Sequence, residues 1–258
     1  MMRARLSFFV VMVVALLLSP LFTSGQENKT TQLEQSEKQQ KGIAVDEVIQ
    51  RFAANETKSK QVRDKYIYRE DITVETLNGN RVDGEFHSVV DITFDDRGRR
   101  KERVVVPPRS TLRRVLLTKE DFESFRQEPF VLTSDVIAEY KIVYVGTEEE
   151  NATRFYVFDV APQRIRGNKP RFQGRIWVDD HNFQIVKTYG NTMLNVRNGE
   201  AENLFPAVTT LREQVDGEYY FPAYSQADEE LHFSNETVHV RQVIKYSNYR
   251  SVGATAHP

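Results

Sequence analysis

The sequence predicts an α+β protein that is mainly β: a curled antiparallel sheet, an incomplete β-barrel of about 10–11 strands, covered by two or three helices. Three observations carry this. Apolar residues recur with a period of two in one segment after another from Tyr66 to Tyr249. Short polar turns such as Asn78-Gly79-Asn80 and Asp95-Asp96-Arg97-Gly98 separate these segments, as antiparallel neighbours require. Helical spacing is confined to one segment near the start and one in the middle.

The first residues stand apart from this pattern. Arg3 and Arg5 precede the run Leu6–Leu18, Ser19-Pro20 breaks it, and Thr23-Ser24-Gly25 offers small residues. This is the three-part arrangement of a secretory signal, expected to span residues 1–25. The run is short of the ~20 residues that cross a bilayer. Residues 26–42, QENKTTQLEQSEKQQKG, hold too little apolar surface to offset the entropy of ordering, so they predict a flexible tether. A single domain is expected over 43–250, with a tail at 251–258. The 258 residues contain no cysteine, so an exported chain would rest on its apolar core alone. Such a chain suits the periplasm of a Gram-negative envelope. With 35 basic against 37 acidic residues, the charge is too balanced for a nucleic-acid footprint.

A helix should open the domain, because Val45, Val48, Ile49, Phe52 and Ala53 form one apolar stripe that stops at the polar ANETKSK. Tyr66, Tyr68, Ile72 and Val74 then share one face of a strand, and Phe86, Val90, Ile92 and Phe94 one face of the next. The run ERVVV is expected to stop at Pro107-Pro108, since proline cannot donate to a ladder. RRVLLT reads as a further short strand. A second helix is expected from Thr118, three residues before Asp121, to Pro129, with Phe122 and Phe125 on one side. Strand-like runs follow at 139–147, 153–160, 172–178, 183–190, 206–215, 218–226 and about 230–249.

The stretch GRIWVDDHNFQIVKTYG, residues 174–190, packs Asp179, Asp180 and His181 together. Pairing Val178 with Phe183 across a four-residue turn puts Ile176 beside Ile185 and Phe172 beside Tyr189 on one face. That register accounts for the large apolar residues except Trp177, and leaves the triplet as a turn tip rather than a metal or acid/base site. His232 and His239 fall on opposite faces of one presumed strand, so they cannot chelate together. No phosphate loop, G-x-S-x-G, H-E-x-x-H or thiol nucleophile occurs, and no enzyme activity, cofactor or metal is expected. Two basic clusters, Arg97, Arg99, Arg100, Lys101 and Arg103, and Arg164, Arg166, Lys169 and Arg171, read as charged edges that discourage aggregation. Contact with anionic headgroups or an acidic partner is the alternative.

The order of elements, with a hairpin carrying Gly174, Ile176, Trp177, Val178, Asp179, Ile185, Val186 and Lys187, resembles the periplasmic lipoprotein-carrier superfamily of LolA, its outer-membrane receptor and RseB. The resemblance covers most of residues 43 to 250. It implies a non-enzymatic carrier or sensor of lipoprotein acyl chains or other amphiphilic ligands, held in an apolar cavity beneath a helical lid. Tyr66, Tyr68, Phe86, Val90, Ile92, Phe172, Ile176, Val178, Phe183, Ile185 and Tyr189 would line that cavity, with Val48, Ile49 and Phe52 on the lid helix. A lipid or lipidated protein is the implied ligand and an envelope protein a further partner, with the carrier a monomer. A solidly packed interaction module without a cavity remains the alternative, because a filled core and a ligand cavity use the same residue types.

Overall fold

A computed structural model describes residues 43–115, 132–164, 171–193, 206–233 and 236–252. Ten strands form one antiparallel sheet: β1 (Tyr66–Asn78), β2 (Arg81–Phe94), β3 (Arg100–Ser110), β4 (Tyr140–Glu150), β5 (Thr153–Pro162), β6 (Arg171–Asp179), β7 (Ile185–Met193), β8 (Val208–Val215), β9 (Tyr219–His232) and β10 (Thr237–Ser251). Their spatial order is β3-β2-β1-β10-β9-β8-β7-β6-β5-β4. Strands consecutive in sequence pair everywhere except β3 with β4, and β1 pairs with β10. Among the described residues the sheet is therefore a meander joined at its two ends and left open at β3 and β4. The described residues hold one α-helix, α1 (Val45–Arg63), none long and apolar enough to cross a membrane, and a 3-10 turn, Ile137–Glu139. The second expected helix lies outside the described residues, as do the leader and the tether.

The register sorts side chains into two faces. One row runs Tyr144, Phe158, Ile176, Thr188, Thr210, Ser225, Ile244, Ile72, Ser88 across nine strands. Its members are buried or half-buried except Tyr144 at the open edge. The opposite face is a lattice of ion pairs: Arg69–Asp91–Arg103, His87–Asp71, Glu75–Arg241–Asp228–His239 and Arg175–Asp159. Alternation thus gives one covered face and one wet face, as antiparallel sheets allow.

Several expectations are corrected. The polar ANETKSK does not end α1. Glu56, Ser59 and Arg63 continue the buried stripe of Val48, Phe52 and Ala53 at helical spacing, while Asp46 and Glu47 in the first turn and Lys60 and Arg63 in the last suit the helix dipole. β3 runs through Pro107 and Pro108, which an edge strand tolerates because one side of its ladder is unused. Residues 113–115 of RRVLLT form no strand; the rest lies outside the described residues. The run at 230–249 is two strands, with Phe233 N donating to Glu236 O between them. His232 and His239 therefore sit on paired strands, bonded to Thr237 and Asp228 respectively.

Candidate functional site

Helix α1 lies against the covered face with Val48, Phe52 and Ala53 buried. Phe52 meets Phe158 of β5 edge-on, ring centroids 5.7 Å apart. Phe158, Ile176, Val178 and Ile185 make the floor here, each at 0% exposure. Polar contacts fasten the helix around this apolar contact. Asn55 Nδ2 donates to the carbonyls of Asn182 (2.9 Å) and Phe183 (3.0 Å), and Thr57 Oγ1 lies 3.3 Å from Ser134 Oγ. The Arg51 guanidinium sits 4.7 Å over the Phe183 ring. Deeper in, Arg212 Nη1 donates to Glu56 Oε1 at 2.6 Å, both side chains being almost fully enclosed, and Leu132 N donates to the other Glu56 oxygen. Beside this pair is a cavity of about 20 Å³, lined by Ser59, Arg63, Arg212, Tyr220, Phe221 and Pro222. That is room for little more than a water molecule.

The other wing of the floor lies on β1, β2 and β10. Ile72, Val74, Phe86, Val238, Val240 and Ile244 pack there, with Leu112, Val115, Phe233 and Tyr246 against them. Next to them Tyr68, Val90 and Ile92 meet Tyr249, whose ring stacks on Tyr68 at 5.1 Å. Arg100 reaches in from β3 and donates to both oxygens of Glu70, at 3.1 and 2.7 Å. Burial raises the Tyr246 hydroxyl well above the ordinary tyrosine range. Burial, together with a 2.5 Å hydrogen bond to Asp216, pushes Tyr66 up to about 12. Between the wings the floor carries hydroxyls: Thr188, Thr210 and Ser225, with Thr210 and Ser225 bonded at 2.8 Å.

The residues expected to line one cavity are thus divided. Tyr66, Tyr68, Phe86, Val90 and Ile92 are buried on the first wing; Ile176, Val178 and Ile185 are buried on the second, with Phe172 half-buried on the same face. Strands β10, β9 and β8 lie between the two groups. On the helix, Val48 and Phe52 face the floor and Ile49 is half-buried. The expected register of the β6–β7 hairpin is corrected. Val178 pairs with Ile185, a bulge follows, and Lys187 and Tyr189 then oppose Trp177 and Arg175 on the wet face. Tyr189 is 46% exposed there. Phe183 is in the turn, outside the ladder, at φ 57°, stacked on Tyr156. Trp177 is accounted for by the same shift: Lys187 Nζ lies 4.5 Å over its ring and its Nε1 donates to Glu148 at 2.7 Å. Sequence reasoning missed Glu56, Arg63, Glu70 and Arg212, and read Arg100 as part of a charged edge, whereas it pairs with Glu70. Only the spacing of 52, 56, 59 and 63 signalled any of them.

Asp179, Asp180 and His181 bring one potential ligand atom each to within 4.8 Å of one another. Asp179 makes the backbone contacts of a turn, Asp180 is held from β5, and His181 Nδ1 lies 2.5 Å from Asp180 Oδ1. Asp179 Oδ1 accepts from the backbone N of His181 (2.9 Å) and Asn182 (3.0 Å), and Asp180 Oδ2 accepts from Arg154 Nε (2.7 Å). The first basic cluster is drawn into ion pairs: Arg99 and Lys101 with Asp95, Arg100 with Glu70 and Glu102, Arg103 with Asp91. Of the second, Arg171 pairs with Glu139, and Arg166 and Lys169 lie outside the described residues.

No family model matches this chain, and no curated protein matches it. Among solved structures it is similar to a DUF1329 family protein from Desulfovibrio piger, at 12% identity and TM-score 0.42, covering 82% of this chain and 95% of that one. A domain described as an outer membrane lipoprotein-sorting protein, from Vibrio parahaemolyticus, gives 10% identity and 0.37, covering 78% and 93%. A LolA superfamily protein from Nitrosomonas europaea gives 11% and 0.36, covering 84% and 96%. The superfamily that the sequence resembles is thus among the structural neighbours. At these identities and scores the likeness bears on neither ligand nor partner.

Proposed function

We propose that this chain is a non-enzymatic binding protein of the cell envelope, a carrier or sensor of acyl chains or other amphiphilic ligands. The covered face of the sheet is the ligand floor, and α1 is its lid. One observation carries this reading. The helix rests on the floor through Val48 and Phe52 but is fastened by polar clasps, Asn55, Thr57 and Glu56, that involve no sheet ladder. Lifting α1 would bare an apolar surface on β5–β7 and leave the ladders between those strands whole. In this reading the sheet curls around its ligand, further helices complete the lid, and the leader at 1–25 delivers the chain to the periplasm. The second reading is a packed interaction module. The tight Phe52–Phe158 contact favours it.

A cysteine lock separates the two. The chain has no cysteine, so Thr57→Cys with Ser134→Cys, whose hydroxyl oxygens lie 3.3 Å apart in the parent, gives one defined bridge between the lid and the loop before β4. A fluorescent fatty acid should bind the reduced protein, be excluded on oxidation, and bind again after reduction. A probe that binds neither form supports the packed module. A probe that binds both equally refutes α1 as the lid.

A further inference from the structure

The two outer strands of the open sheet are guarded very differently. β3 carries Pro107 and Pro108, the basic residues Arg100, Lys101, Arg103 and Arg109, and two register irregularities against β2. These are the devices by which an edge refuses a neighbour. The first half of β4, Tyr140-Lys141-Ile142-Val143-Tyr144-Val145, has no proline and one charge. Val143, Tyr144 and Val145 are 46%, 39% and 48% exposed. An unguarded apolar edge of this kind is a template for strand addition.

The ladder fixes which groups point outward. Gln163 N donates to Glu139 O, so Glu139 belongs to a hydrogen-bonded pair with the β5 side. Antiparallel pairs alternate, so Ile142 and Tyr144 turn their N–H and C=O away from β5, whereas Tyr140 N donates to Ile137 O and Tyr140 O accepts from Gln163 Nε2. The register agrees, since Tyr140 stands opposite Pro162, which has no N–H to give. A bulge between Tyr144 and Gly146 resets the alternation, and the hairpin closes at Glu150 and Thr153 across Asn151-Ala152, both at positive φ. Beyond the bulge Thr147 and Glu149 therefore point outward. Laying a second β4 antiparallel, with its centre between Tyr144 and Val145, matches the outward groups of Ile142 with those of Thr147, twice by symmetry. The same register sets the exposed Lys141 of each copy opposite the exposed Glu148 of the other, twice by symmetry.

We propose that the outer edge of β4 is a self-association edge, at which β4 of a second copy adds antiparallel about a two-fold axis beside Tyr144 and Val145. The resulting dimer carries the sheet through the interface, with Val143, Tyr144 and Val145 at its centre and a Lys141–Glu148 ion pair on each side. An isologous contact of this kind closes on itself, so association stops at two copies.

Sedimentation equilibrium of the full chain over a wide concentration range tests this. The parent should follow a monomer–dimer equilibrium. Lys141→Glu faces Glu148 of the second copy with a like charge and should weaken the dimer roughly tenfold or more. The swap Lys141→Glu with Glu148→Lys should restore it. Because Glu148 also holds Trp177, thermal unfolding of each variant confirms that the fold is kept. An independent readout uses the absence of native cysteine: Val145→Cys should cross-link copies on oxidation, because the thiols meet near the axis, whereas Glu150→Cys should not. A chain that is monomeric at every concentration overturns the proposal. So does a dimer indifferent to Lys141→Glu, a failure of the swap to restore it, or growth beyond two copies.

Discussion

Glu56 and Arg212 are charges enclosed by protein, and their side chains are 2% and 5% exposed. Their pairing does not make the fold more stable than an apolar pair of similar volume would, because removing two charges from water costs about what their attraction returns. Breaking the pair is a different matter. Arg212→Ala strands the Glu56 carboxylate and is expected to cost about 3–5 kcal/mol, read as a lower midpoint in urea unfolding. Glu56→Gln with Arg212→Met should recover most of that loss, and a double variant as weak as the single one would contradict the account. On the wet face Asp91 lies between Arg69 and Arg103, and its hydrogen bond from Arg69, aided by Arg103, holds its carboxyl below the ordinary range. A carboxyl depressed in the folded state contributes stability that is fully present above its unfolded value of ~3.9 and is lost as pH falls through the folded value. Stability should therefore decline below about pH 4 in the parent. In Asp91→Asn it should be lower at neutral pH and decline less on acidification, and identical pH profiles would remove Asp91 from the acid response.

At the scale of elements, the β6–β7 hairpin shows how a local pattern and its geometry part company. Gly174 and Gly190 face each other in the ladder, and a Cβ built on either would lie within 2.1–2.2 Å of a backbone oxygen of the other strand. The strands approach so closely there that neither position admits a methyl group. Gly174→Ala is expected to cost about 1–3 kcal/mol or more through overpacking, measured by thermal unfolding. Ala152→Gly, at a turn position with φ 62° and open to solvent, should be tolerated and is the control. An unaffected Gly174→Ala protein would mean the hairpin relaxes at little cost. The extra residue at the β7 bulge also reverses faces. The Asp-Asp-His-Asn turn was legible from its residue types, but the bulge at Val186 was not, because alternation reads equally well one residue out of step. That slip put Tyr189 on the wrong face and left Trp177 without a partner.

Over the whole molecule, the pairing of β1 with β10 joins the two ends of the described domain. The central strands carry the apolar groups Ile72, Val74, Val240 and Ile244 on the covered face and ion pairs on the other. Among the described residues the outer strands β3 and β4 have a strand neighbour on one side only, and their residues are mostly exposed. Amides of β1 and β10 are therefore expected to exchange with solvent only on global unfolding, and the outward-facing amides of β3 and β4 rapidly, without any opening. Hydrogen exchange followed by mass spectrometry checks this, and equal protection of edge and centre would refute it. In the proposed dimer the free-side amides of β4, but not of β3, should gain protection with concentration.

The sequence by itself determined that this is a mainly β chain with strands close to where they stand, a helix at 45, and an apolar set on one face. Strand period and turn chemistry are local, so they are written residue by residue in the chain. Only the tertiary structure decided that β1 meets β10, that the sheet stays open between β3 and β4, and that the expected cavity residues fall into two groups with three strands between them. It also decided that Glu56, Glu70, Arg100 and Arg212 turn inward. A charged residue carries the same local signal whether it faces water or a partner brought to it from 156 positions away, as Arg212 is to Glu56. Burial of a charge depends on the partner, and the partner is supplied by the fold.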